Sequence, residues 1–526
     1  MTRTAGDVGA GLAPARPARR IHRGERIHVV GIAGAGASAA ALLAHAAGAN
    51  VSGCDAGGES PYTAALHAAA IPIAWEHDPA HVAAGEAPTR LAVTKALTAI
   101  APDHPELRAA RDAGIPLEPW QQVVADAASG RRLVAVAGTH GKSSTSGWLL
   151  HVLVASGRDP SAFVGALLPA SDSGGRAATA RIGGGDVFLV EADEYAGNFD
   201  AYRPEVALLT SVEWDHPDVF ADAGAVVDAF VGWLRGMAPA GTLVANLADP
   251  GVAAVLRDLA SDHPARLIGY RLDDDGATSG NARSKAPAVP PFPPAPLTPG
   301  RERTIVAGRI VAVDADGTTL EIRGLLSSGE AASVRLTSAG RHNAANALGV
   351  AAAALALGIS PADVCSGLAS FTGIWRRLER KGEVAGVVVY DDYGHHPTAI
   401  RETIAAMRQR EPGRRLWAVL EPLTFHRTTA LLAELAAALA EADAVAIADI
   451  WAGRDPDTTI VSAEALAAAV RRLRPGLLVD ASGSVEDTAD WLADRVRGDD
   501  AVLVMGGGRS YVIGERLLAT LRSRAS

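Results

Sequence analysis

Residues 133–153 read LVAVAGTHGKSSTSGWLLHVL, and the order of residue types in this stretch indicates the fold. The apolar run at 133–137 is typical of a buried strand, and the residues after Lys142 have the amphipathic spacing of a helix. A glycine-rich turn separates the two, so the sequence predicts a strand, a tight loop and a helix in succession. Such units belong to mostly parallel sheets. We therefore predict an α/β protein.

The turn carries the residue types that a phosphate-binding loop requires. Backbone N–H groups at a helix N-terminus bind phosphate oxygens, and a lysine neutralises their charge. Val136 stands where the general loop has its first glycine, so this loop is a shortened variant. We predict that Ser143 binds Mg²⁺. We also predict that ATP contacts Gly138, Thr139, His140, Gly141, Lys142, Ser143 and Ser144.

Two acidic clusters follow apolar runs further along the chain. The sequence EADE at 191–194 follows VFLV, and DH at 215–216 follows VALLTSVEW. Ligands gather at the carboxyl ends of parallel strands, and oxygen and imidazole ligands suit one or two Mg²⁺ ions. Taken alone, each of these acidic residues is more simply explained as a polar side chain that contacts solvent at the end of a strand. Together with Lys142, they predict a site for ATP and Mg²⁺.

Residues 27–55, IHVVGIAGAGASAAALLAHAAGANVSGCD, predict another strand, glycine-rich turn, helix and strand. Gly34 and Gly36, with Asp55 beyond them, fit a dinucleotide-binding fingerprint. Glycine at these positions lets a pyrophosphate approach the backbone. NAD and a UDP-sugar satisfy the same geometry, so these residues leave both ligands open.

The chain of 526 residues is too long for a single core, which stops growing at roughly 250–300 residues. We predict a disordered tail at 1–25 and three domains at 26–125, 126–370 and 371–526. Within the second domain, residues 273–302 are rich in proline and glycine without periodicity, which indicates an insertion.

Local patterns in the second half of the chain predict further elements. RIVAVDADGTTLEIRG is typical of a hairpin with a DADG turn, and GRHNAANALGVAAAALALG of a buried helix. Strands are predicted at VVVYDDY, LWAVLEP, AVAIADI and AVLVMGG, with helical stretches between them. The third domain is therefore also predicted to be α/β.

Composition excludes several classes of function. A net charge of −10 argues against a nucleic-acid partner, which requires concentrated positive charge. The sequence contains no apolar run near the ~20 residues that span a bilayer, so we expect no membrane insertion. Cys54 and Cys365 each lie alone in their segments, which argues against a disulfide framework and against a thiolate metal site. A reducing cytoplasm fits this cysteine content.

Six motifs together resemble the Mur ligase family: GTHGKSS, EADE, the DH of VEWDHPD, GRHNAAN, GIWRRLERKGE and DDYGHHP. They occur in the family's order between about Ile27 and Leu518. The resemblance implies a Rossmann-like N-terminal domain that binds the UDP substrate, a central P-loop-type ATPase domain with a mostly parallel sheet, and a Rossmann-like C-terminal domain that binds the amino acid. It also implies ATP-dependent ligation of L-alanine to UDP-N-acetylmuramate through an acyl phosphate, in peptidoglycan precursor synthesis.

The resemblance also implies roles for individual residues. Glu191 and His216 would join Ser143 at Mg²⁺, and Lys142, Glu191, His216 and His395 would be catalytic. The expected ATP contacts outside the loop are His342, Asn343, Asn346 and Arg377. The expected UDP-substrate contacts are Gly34, Gly36, Ser38 and Asp55, and those for the amino acid are Asp392, His396 and Arg427.

The chain departs from the family pattern at Leu423, where histidine is common, and residues 191–240 contain no lysine that could be carbamylated. The absent lysine agrees with the alanine-adding branch. The short connection at 195–204 and the sequence ADIWAGRDPD at 448–457 also favour L-alanine. The alternatives are a ligase that recycles a tripeptide, an NAD-dependent oxidoreductase and a non-catalytic nucleotide-binding module. We expect a monomer or a homodimer.

Overall fold

The computed structural model describes residues 3–83, 87–259, 266–273, 303–453, 455 and 457–525. Except for Asp273, the predicted insertion at 273–302 lies outside the described residues. Three separate sheets, which lie within 26–119, 132–336 and 379–506, form the frame of the molecule. The prediction of an α/β protein with mostly parallel sheets is confirmed.

The N-terminal sheet is parallel throughout, with strand order β3-β2-β1-β4-β5. Its strands are β1 (Arg26–Val30), β2 (Asn50–Cys54), β3 (Ile73–Ala74), β4 (Arg90–Val93) and β5 (Leu117–Pro119). The helices are α1 (Ala5–Val8), α2 (Ala35–Ala46), α3 (Thr63–Ala68), α4 (Ala80–Ala83), α5 (Lys95–Ile100), α6 (Pro105–Asp112) and α7 (Trp120–Ala127). Apolar strands suit this arrangement because helices cover both faces of a parallel sheet.

The central sheet has strand order β15-β14-β13-β12-β11-β10-β6-β9-β7-β8. Its strands are β6 (Arg132–Ala137), β7 (Ser161–Leu168), β8 (Ala178–Arg181), β9 (Val187–Ala192), β10 (Val206–Leu209), β11 (Thr242–Asn246), β12 (Arg266–Leu272), β13 (Arg303–Asp314), β14 (Gly317–Arg323) and β15 (Ala332–Leu336). The pairs at its two ends, β7 with β8 and β13 to β15, are antiparallel. The predicted DADG hairpin is confirmed by the pairing of Asp314 with Gly317.

The helices of the central domain are α8 (Lys142–Ala155), α9 (Ala170–Ser173), α10 (Ala223–Leu234), α11 (Pro250–Asp258), α12 (Arg341–Ala356) and α13 (Pro361–Ser370), and Tyr195–Ala201 form a 3₁₀ helix. Helices α8, α12 and α13 share one apolar core with one face of the sheet. The other face shares a continuous core with α2 of the N-terminal domain. The first two domains are therefore joined by apolar packing.

The C-terminal sheet has strand order β16-β17-β21-β18-β19-β20 and is parallel except for β16. Its strands are β16 (Glu379–Val384), β17 (Val387–Asp392), β18 (Arg415–Glu421), β19 (Ala444–Ala448), β20 (Leu478–Gly483) and β21 (Asp500–Gly506). The helices are α14 (Pro397–Arg410), α15 (Phe425–Ala430), α16 (Leu432–Leu439), α17 (Ala463–Leu473), α18 (Val485–Ala493) and α19 (Tyr511–Ala525).

The prediction of a disordered tail at 1–25 is wrong for the N-terminal strap, by which we mean residues 3–20. Val8 is fully buried, and its carbonyl accepts a hydrogen bond of 2.7 Å from Thr98. Arg16 pairs with the carboxylates of Glu118 and Asp126 at 2.7 Å each. The acidic partners of Arg16 lie 102 and 110 residues further along the chain, which is why the segment resembled a solvated tail.

The order of the central strands positions the site. Strand β6 lies between β9 and β10, and all three are parallel. Their carboxyl ends therefore meet at one edge, as predicted for the loop after 137 and the acids after Leu209 and Val190. Among the residues that the structure describes, every helix is too short or too polar to cross a bilayer.

Candidate active site

The loop after β6 has the backbone that a phosphate-binding loop requires. Gly138 and Gly141 adopt φ angles of 137° and 78°, a region that side chains disfavour. A Cβ at Gly138 would lie 2.1 Å from the Thr210 hydroxyl oxygen, and one at Gly141 would lie 2.7 Å from Asn346 Oδ1. Helix α8 begins at Lys142, and no described side chain caps its first turn. The N–H groups of that turn can therefore bind an anion.

The Lys142 ammonium lies at the centre of the site. Its Nζ donates to the Gly138 carbonyl at 2.7 Å and to Glu194 Oε2 at 2.8 Å, and Asp193 Oδ1 lies 3.6 Å away. Burial disfavours its charge, but the surrounding carboxylates outweigh burial and raise the pKa of Lys142. Burial raises the pKa of Glu194 to about 7 against the pull of Lys142. Lys142 therefore stays protonated inside an acidic pocket.

Ser143 and Glu191, two of the predicted Mg²⁺ ligands, lie side by side. The Ser143 hydroxyl donates to Glu191 Oε1 at 2.9 Å, and Gly165 N donates to Glu191 Oε2 at 2.7 Å. Arg377 reaches the same hydroxyl from beyond α13, with Nη2 donating to Ser143 Oγ at 2.7 Å. Arg377 therefore lies beside the phosphate loop, and its contact with ATP stays a prediction.

His216, the third predicted Mg²⁺ ligand, belongs to a neighbouring group. One ligand atom each from Asp193, Glu194 and His216 lie within 4.8 Å of one another. The His216 backbone has a φ of 55°, which is strained for a non-glycine residue. The predicted ligands thus fall into two groups, with Ser143 and Glu191 in one and His216 in the other. Their oxygen and imidazole atoms fit Mg²⁺, because three carboxylates exceed the combined charge of Lys142 and Arg377.

Arg427 is placed differently from the prediction that it holds substrate charge. It is 3% exposed, its Nε donates to Asp215 Oδ1 at 2.7 Å, and its Nη2 lies 3.1 Å from His216 Nδ1. Burial opposes the ionisation of Asp215, but Arg427 and His216 outweigh burial and hold the pKa of Asp215 well below its usual range. In this structure, Arg427 joins the C-terminal domain to the residue next to a predicted Mg²⁺ ligand.

Most of the predicted ATP contacts outside the loop line one pocket. It lies between α8, α12 and the start of the C-terminal domain, and it is lined by Ser144, Ser338, His342, Asn343, Phe371, Gly373, Ile374, Arg377, Leu378 and Asp392. Asn346 lies beneath this group and donates to Asn343 Oδ1 at 3.4 Å. The Asp392 carboxylate, predicted in the amino-acid site, instead accepts from Leu378 N at 2.8 Å and Gly394 N at 2.7 Å. Asp392 therefore shapes the backbone beside the pocket.

The two histidines before α14 have different surroundings. His395 Nδ1 lies 2.9 Å from the Tyr393 carbonyl oxygen, and burial together with Arg427 lowers the pKa of His395 well below its usual range. His396 caps α14, and its ring centroid lies 4.7 Å from that of His140. Burial also lowers the pKa of His396. His395 is therefore a neutral imidazole near Arg427, whereas His396 helps join two domains.

Two of the predicted UDP-substrate contacts, Gly34 and Asp55, lie at the N-terminal glycine loop in positions from which they could contact a ligand. Gly34 precedes α2 without a side-chain cap in the described structure, and Asp55 Oδ2 accepts from Ala33 N at 3.0 Å. Gly36 has a packing role instead, since a Cβ there would lie 2.1 Å from the Trp120 ring. Ser38 is also turned to packing, because its buried hydroxyl donates to the Ala35 carbonyl and lies 3.3 Å from Thr179 Oγ1.

Sequence reasoning missed two residues near the site. Glu213 accepts from the Thr398 hydroxyl at 2.9 Å and lies 2.7 Å from His140 Nε2, so it links α14 to the phosphate loop. Its position two residues before the DH motif was the available signal. Lys95 comes from the N-terminal domain and donates to the Ala196 carbonyl at 2.6 Å. Burial lowers the pKa of Lys95 to about 8, and no local pattern marks this lysine.

Leu423 stands where histidine is common in the family. Its backbone pairs with Trp451, and a Cβ at Gly507 would lie 2.8 Å from its side chain. Leu423 therefore packs against the loop that follows β21.

Family models match successive parts of the chain. They describe the Mur ligase catalytic domain at residues 26–132, the Mur ligase middle domain at 136–354 and the Mur ligase glutamate ligase domain at 376–508. The chain is 37% identical over 521 residues to a UDP-N-acetylmuramate--L-alanine ligase of Frankia casuarinae, which covers 95% of this chain and 98% of that protein. It is 33% identical over 513 residues to one of Streptomyces griseus, covering 97% and 100%.

Solved structures have the same overall fold. A murein peptide ligase from Psychrobacter arcticus has a TM-score of 0.67 at 25% identity and covers 95% of this chain and 99% of that one. A UDP-N-acetylmuramate-alanine ligase from Thermotoga maritima has a TM-score of 0.71 at 21% identity, with the same coverage. Because the family models follow one another along most of the chain and the curated relatives align almost from end to end, the chain belongs to the Mur ligase family.

Proposed function

We propose that this protein is an ATP-dependent ligase that forms an amide bond between L-alanine and the carboxylate of UDP-N-acetylmuramate, in the synthesis of peptidoglycan precursors. The observation that carries the proposal is the end-to-end similarity to relatives of that name. The convergence of central and C-terminal residues around Lys142 supports it. Its substrates are cytoplasmic metabolites, so the proposal includes a cytoplasmic location.

The first half of the reaction makes the carboxylate reactive. A carboxylate is a poor acyl donor until one of its oxygens becomes a phosphate leaving group. It therefore attacks the γ-phosphate of ATP, the bond to the β-phosphate oxygen breaks, and an acyl phosphate and ADP are formed. The charge on the transferred group spreads over its oxygens, and fixed cations stabilise it. Lys142, held by the Gly138 carbonyl, provides one such charge, and Arg377 provides another from the third domain.

The acidic residues around Lys142 would hold Mg²⁺. Ser143 and Glu191 would bind one ion, and Asp193, Glu194 and His216 would contribute to a second. Bound Mg²⁺ neutralises phosphate oxygens and orients them for transfer. Glu194 is suited to this role because its carboxylate is buried beside Lys142 and retains Oε1 towards His216 at 4.0 Å.

The second half of the reaction needs an uncharged amine. The Nδ1 atom of His395 faces the Tyr393 carbonyl oxygen, so the neutral ring carries its proton there and leaves the lone pair on Nε2. We assign His395 the role of accepting a proton from the amine as it attacks the acyl phosphate. Burial and Arg427 keep this imidazole neutral, which a general base requires.

The UDP part of the substrate is assigned to the N-terminal domain. Helix α2 offers its N-terminus after Gly34, where a pyrophosphate gains from free N–H groups and the helix dipole. Asp55 holds the turn by accepting from the N–H groups of Ala33 and Gly57. The amino acid is assigned to the junction of the central and C-terminal domains near His395.

The decisive experiment supplies the purified protein with ATP, Mg²⁺ and UDP-N-acetylmuramate and measures phosphate release. We expect the highest kcat/KM with L-alanine, lower values with glycine and L-serine, and little turnover with the L-Ala-γ-D-Glu-diaminopimelate tripeptide. One methyl group supplies only about 1–3 kcal/mol of discrimination, so glycine should react measurably. Omitting UDP-N-acetylmuramate is the control and should abolish phosphate release.

The other outcomes distinguish the alternatives. A higher kcat/KM for the tripeptide would assign the recycling activity, for which the likeness to a murein peptide ligase provides the motivation. Phosphate release with none of the amines would remove the ligase proposal and leave a nucleotide-binding module. Oxidation or reduction of NAD would be required for the oxidoreductase alternative, which gives Lys142 and its acids no role.

A further inference from the structure

A cluster of metal-ligating side chains lies in the N-terminal domain, apart from the Lys142 site. His28 is on β1, Cys54 ends β2, His81 is on α4 and Glu106 is in the first turn of α6. One ligand atom from each of these four residues lies within 4.8 Å of all the others. Four different elements thus direct nitrogen, sulfur and oxygen atoms to a single point.

The distances fit a tetrahedral ion. Cys54 Sγ lies 3.3 Å from His28 Nε2 and 3.4 Å from both carboxylate oxygens of Glu106. Glu106 Oε1 lies 3.2 Å from His28 Nε2 and 3.0 Å from His81 Nδ1. Zinc bonds of about 2.0 Å to nitrogen or oxygen and 2.3 Å to sulfur place tetrahedral ligands roughly 3.3–3.6 Å apart. The distances among His28, Cys54 and Glu106, and the distance from Glu106 to His81, are within a few tenths of an ångström of these tetrahedral values.

The surroundings are those of a structural site. Cys54 and Glu106 are fully buried, and His28 is 4% exposed. Histidines that bind metal usually hold their other ring nitrogen against an oxygen, and His28 Nδ1 lies 2.9 Å from Ser52 Oγ. His77 adds a further donor, with Nδ1 3.1 Å from Cys54 Sγ. A thiol has only one proton to donate, so Cys54 can donate a hydrogen bond to only one of the two imidazole nitrogens and two carboxylate oxygens around its Sγ.

We propose that His28, Cys54, His81 and Glu106 bind one Zn²⁺ ion that joins β1, β2, α4 and α6. A ligand set of thiolate, imidazole and carboxylate selects zinc over Mg²⁺, which prefers oxygen. The sequence argued against a thiolate metal site because it has no paired-cysteine motif, whereas the ligands proposed here come from four separated segments. The ion would also fix the residue before Asp55, and hence the mouth of the N-terminal glycine loop.

The test uses the full chain, stripped of metal with a chelator, in buffer with excess Mg²⁺ so that the Lys142 site does not compete for the probe. Co²⁺ is then titrated and the absorption spectrum recorded. We expect one equivalent to bind, with intense d–d bands of tetrahedral cobalt and a sulfur-to-cobalt charge-transfer band. Zn²⁺ should displace the cobalt and raise the Tm.

Two variants and two controls complete the test. Cys54→Ser should lose the charge-transfer band and weaken cobalt binding more than about tenfold, since even outer partners of metal ligands are worth 10–100-fold. His81→Gln, at a partly exposed position, should weaken binding with the fold retained, which covers the case in which Cys54→Ser misfolds. Cys365→Ser and His67→Gln, at unrelated positions, should behave like the wild type. Absence of stoichiometric binding, or a charge-transfer band that survives in Cys54→Ser, would overturn the proposal.

Discussion

Two clusters of buried charge, one in the N-terminal domain and one around the phosphate loop, differ in their balance. In the described structure, the N-terminal cluster has three arginines and three carboxylates: Arg16, Arg19, Arg90, Glu25, Glu118 and Asp126. The loop cluster, apart from His216, has two cations and three carboxylates: Lys142, Arg377, Glu191, Asp193 and Glu194. A buried charge is costly unless it is paired. In the N-terminal cluster, which we call the balanced cluster, the arginines neutralise all the carboxylates. The loop cluster, which we call the unbalanced cluster, has one carboxylate in excess, and a bound cation can neutralise it.

The largest expected effect follows from removing the centre of the balanced cluster. Arg90 is 2% exposed and pairs with Glu25, Glu118 and Asp126. Arg90→Leu removes the cation that contacts all three carboxylates and leaves only Arg16 and Arg19 to neutralise them. We therefore expect the N-terminal domain to lose about 3–5 kcal/mol of stability. Urea unfolding followed by hydrogen exchange of that domain measures the loss. The control is Arg132→Leu, which removes a surface pair with Glu205 and should cost about 1 kcal/mol or less.

In the unbalanced cluster, we expect a substitution to lower the activity and to leave the stability nearly unchanged. Lys142→Ala should slow ligation at least about 10²-fold, equivalent to roughly 2.7 kcal/mol or more, because a transition-state contact to phosphate is lost. The Tm should change little, since Glu194 can take up a proton in place of the ion pair. Steady-state phosphate release and a thermal melt provide the two measurements. Lys381→Ala, which removes a partly buried lysine that pairs with Glu379 and Glu515, should leave both unchanged. Normal turnover in Lys142→Ala would remove the distinction between the clusters.

Acid should weaken the balanced cluster in a defined window. Burial would raise the pKa of Glu25, but Arg19, the His22 N–H and Arg90 lower it from 4.5 to about 2. A carboxylate with a lowered pKa stabilises the fold fully above its ordinary pKa, and that stability is lost as the pH falls towards 2. Comparing the wild type with Glu25→Gln between pH 5 and pH 2, roughly that window, should show a shallower loss of stability in the variant. Parallel curves would contradict the assigned role of Glu25.

The smallest effect is expected from the segment that belongs to neither cluster. Residues 273–302 have no apolar periodicity, so we predict that they bury little surface. Replacing them with a short Gly/Ser linker should change the Tm and kcat only slightly. A large fall in either quantity would show that the segment packs against a domain or closes over the substrate.

The sequence was sufficient wherever a local pattern carries the information. The loop at 138–143, helix α12 and the Asp314–Gly317 turn were predicted because glycine, helical spacing and turn residues act within a few positions. Strands β16 and β20 were missed because they lie at the edges of their sheet and are polar or exposed. An edge strand need not alternate between apolar and polar residues.

Roles that depend on distant partners could not be predicted. Gly36 was predicted to contact the ligand. In the fold, the ring of Trp120, more than eighty residues later, occupies the space that a side chain at Gly36 would need. Arg427 resembled a substrate clamp because the sequence does not show its pairing with Asp215. The same limit applies to Cys54, which is isolated in the chain but surrounded by histidines in space. Residue type indicates the chemistry available, and the fold determines the partner.

The N-terminal strap has a practical consequence for anyone who handles this protein. Arg3 contacts Asp218 at 3.2 Å, and Asp218 accepts a hydrogen bond from the Tyr195 hydroxyl at 3.0 Å. The Tyr195 ring centroid lies 4.8 Å from that of His216. An affinity tag or a truncation at the amino terminus would therefore disturb Arg3, which is linked to His216 through three successive contacts. The exposed end of α19 is the safer place for a fusion, a label or a surface tether.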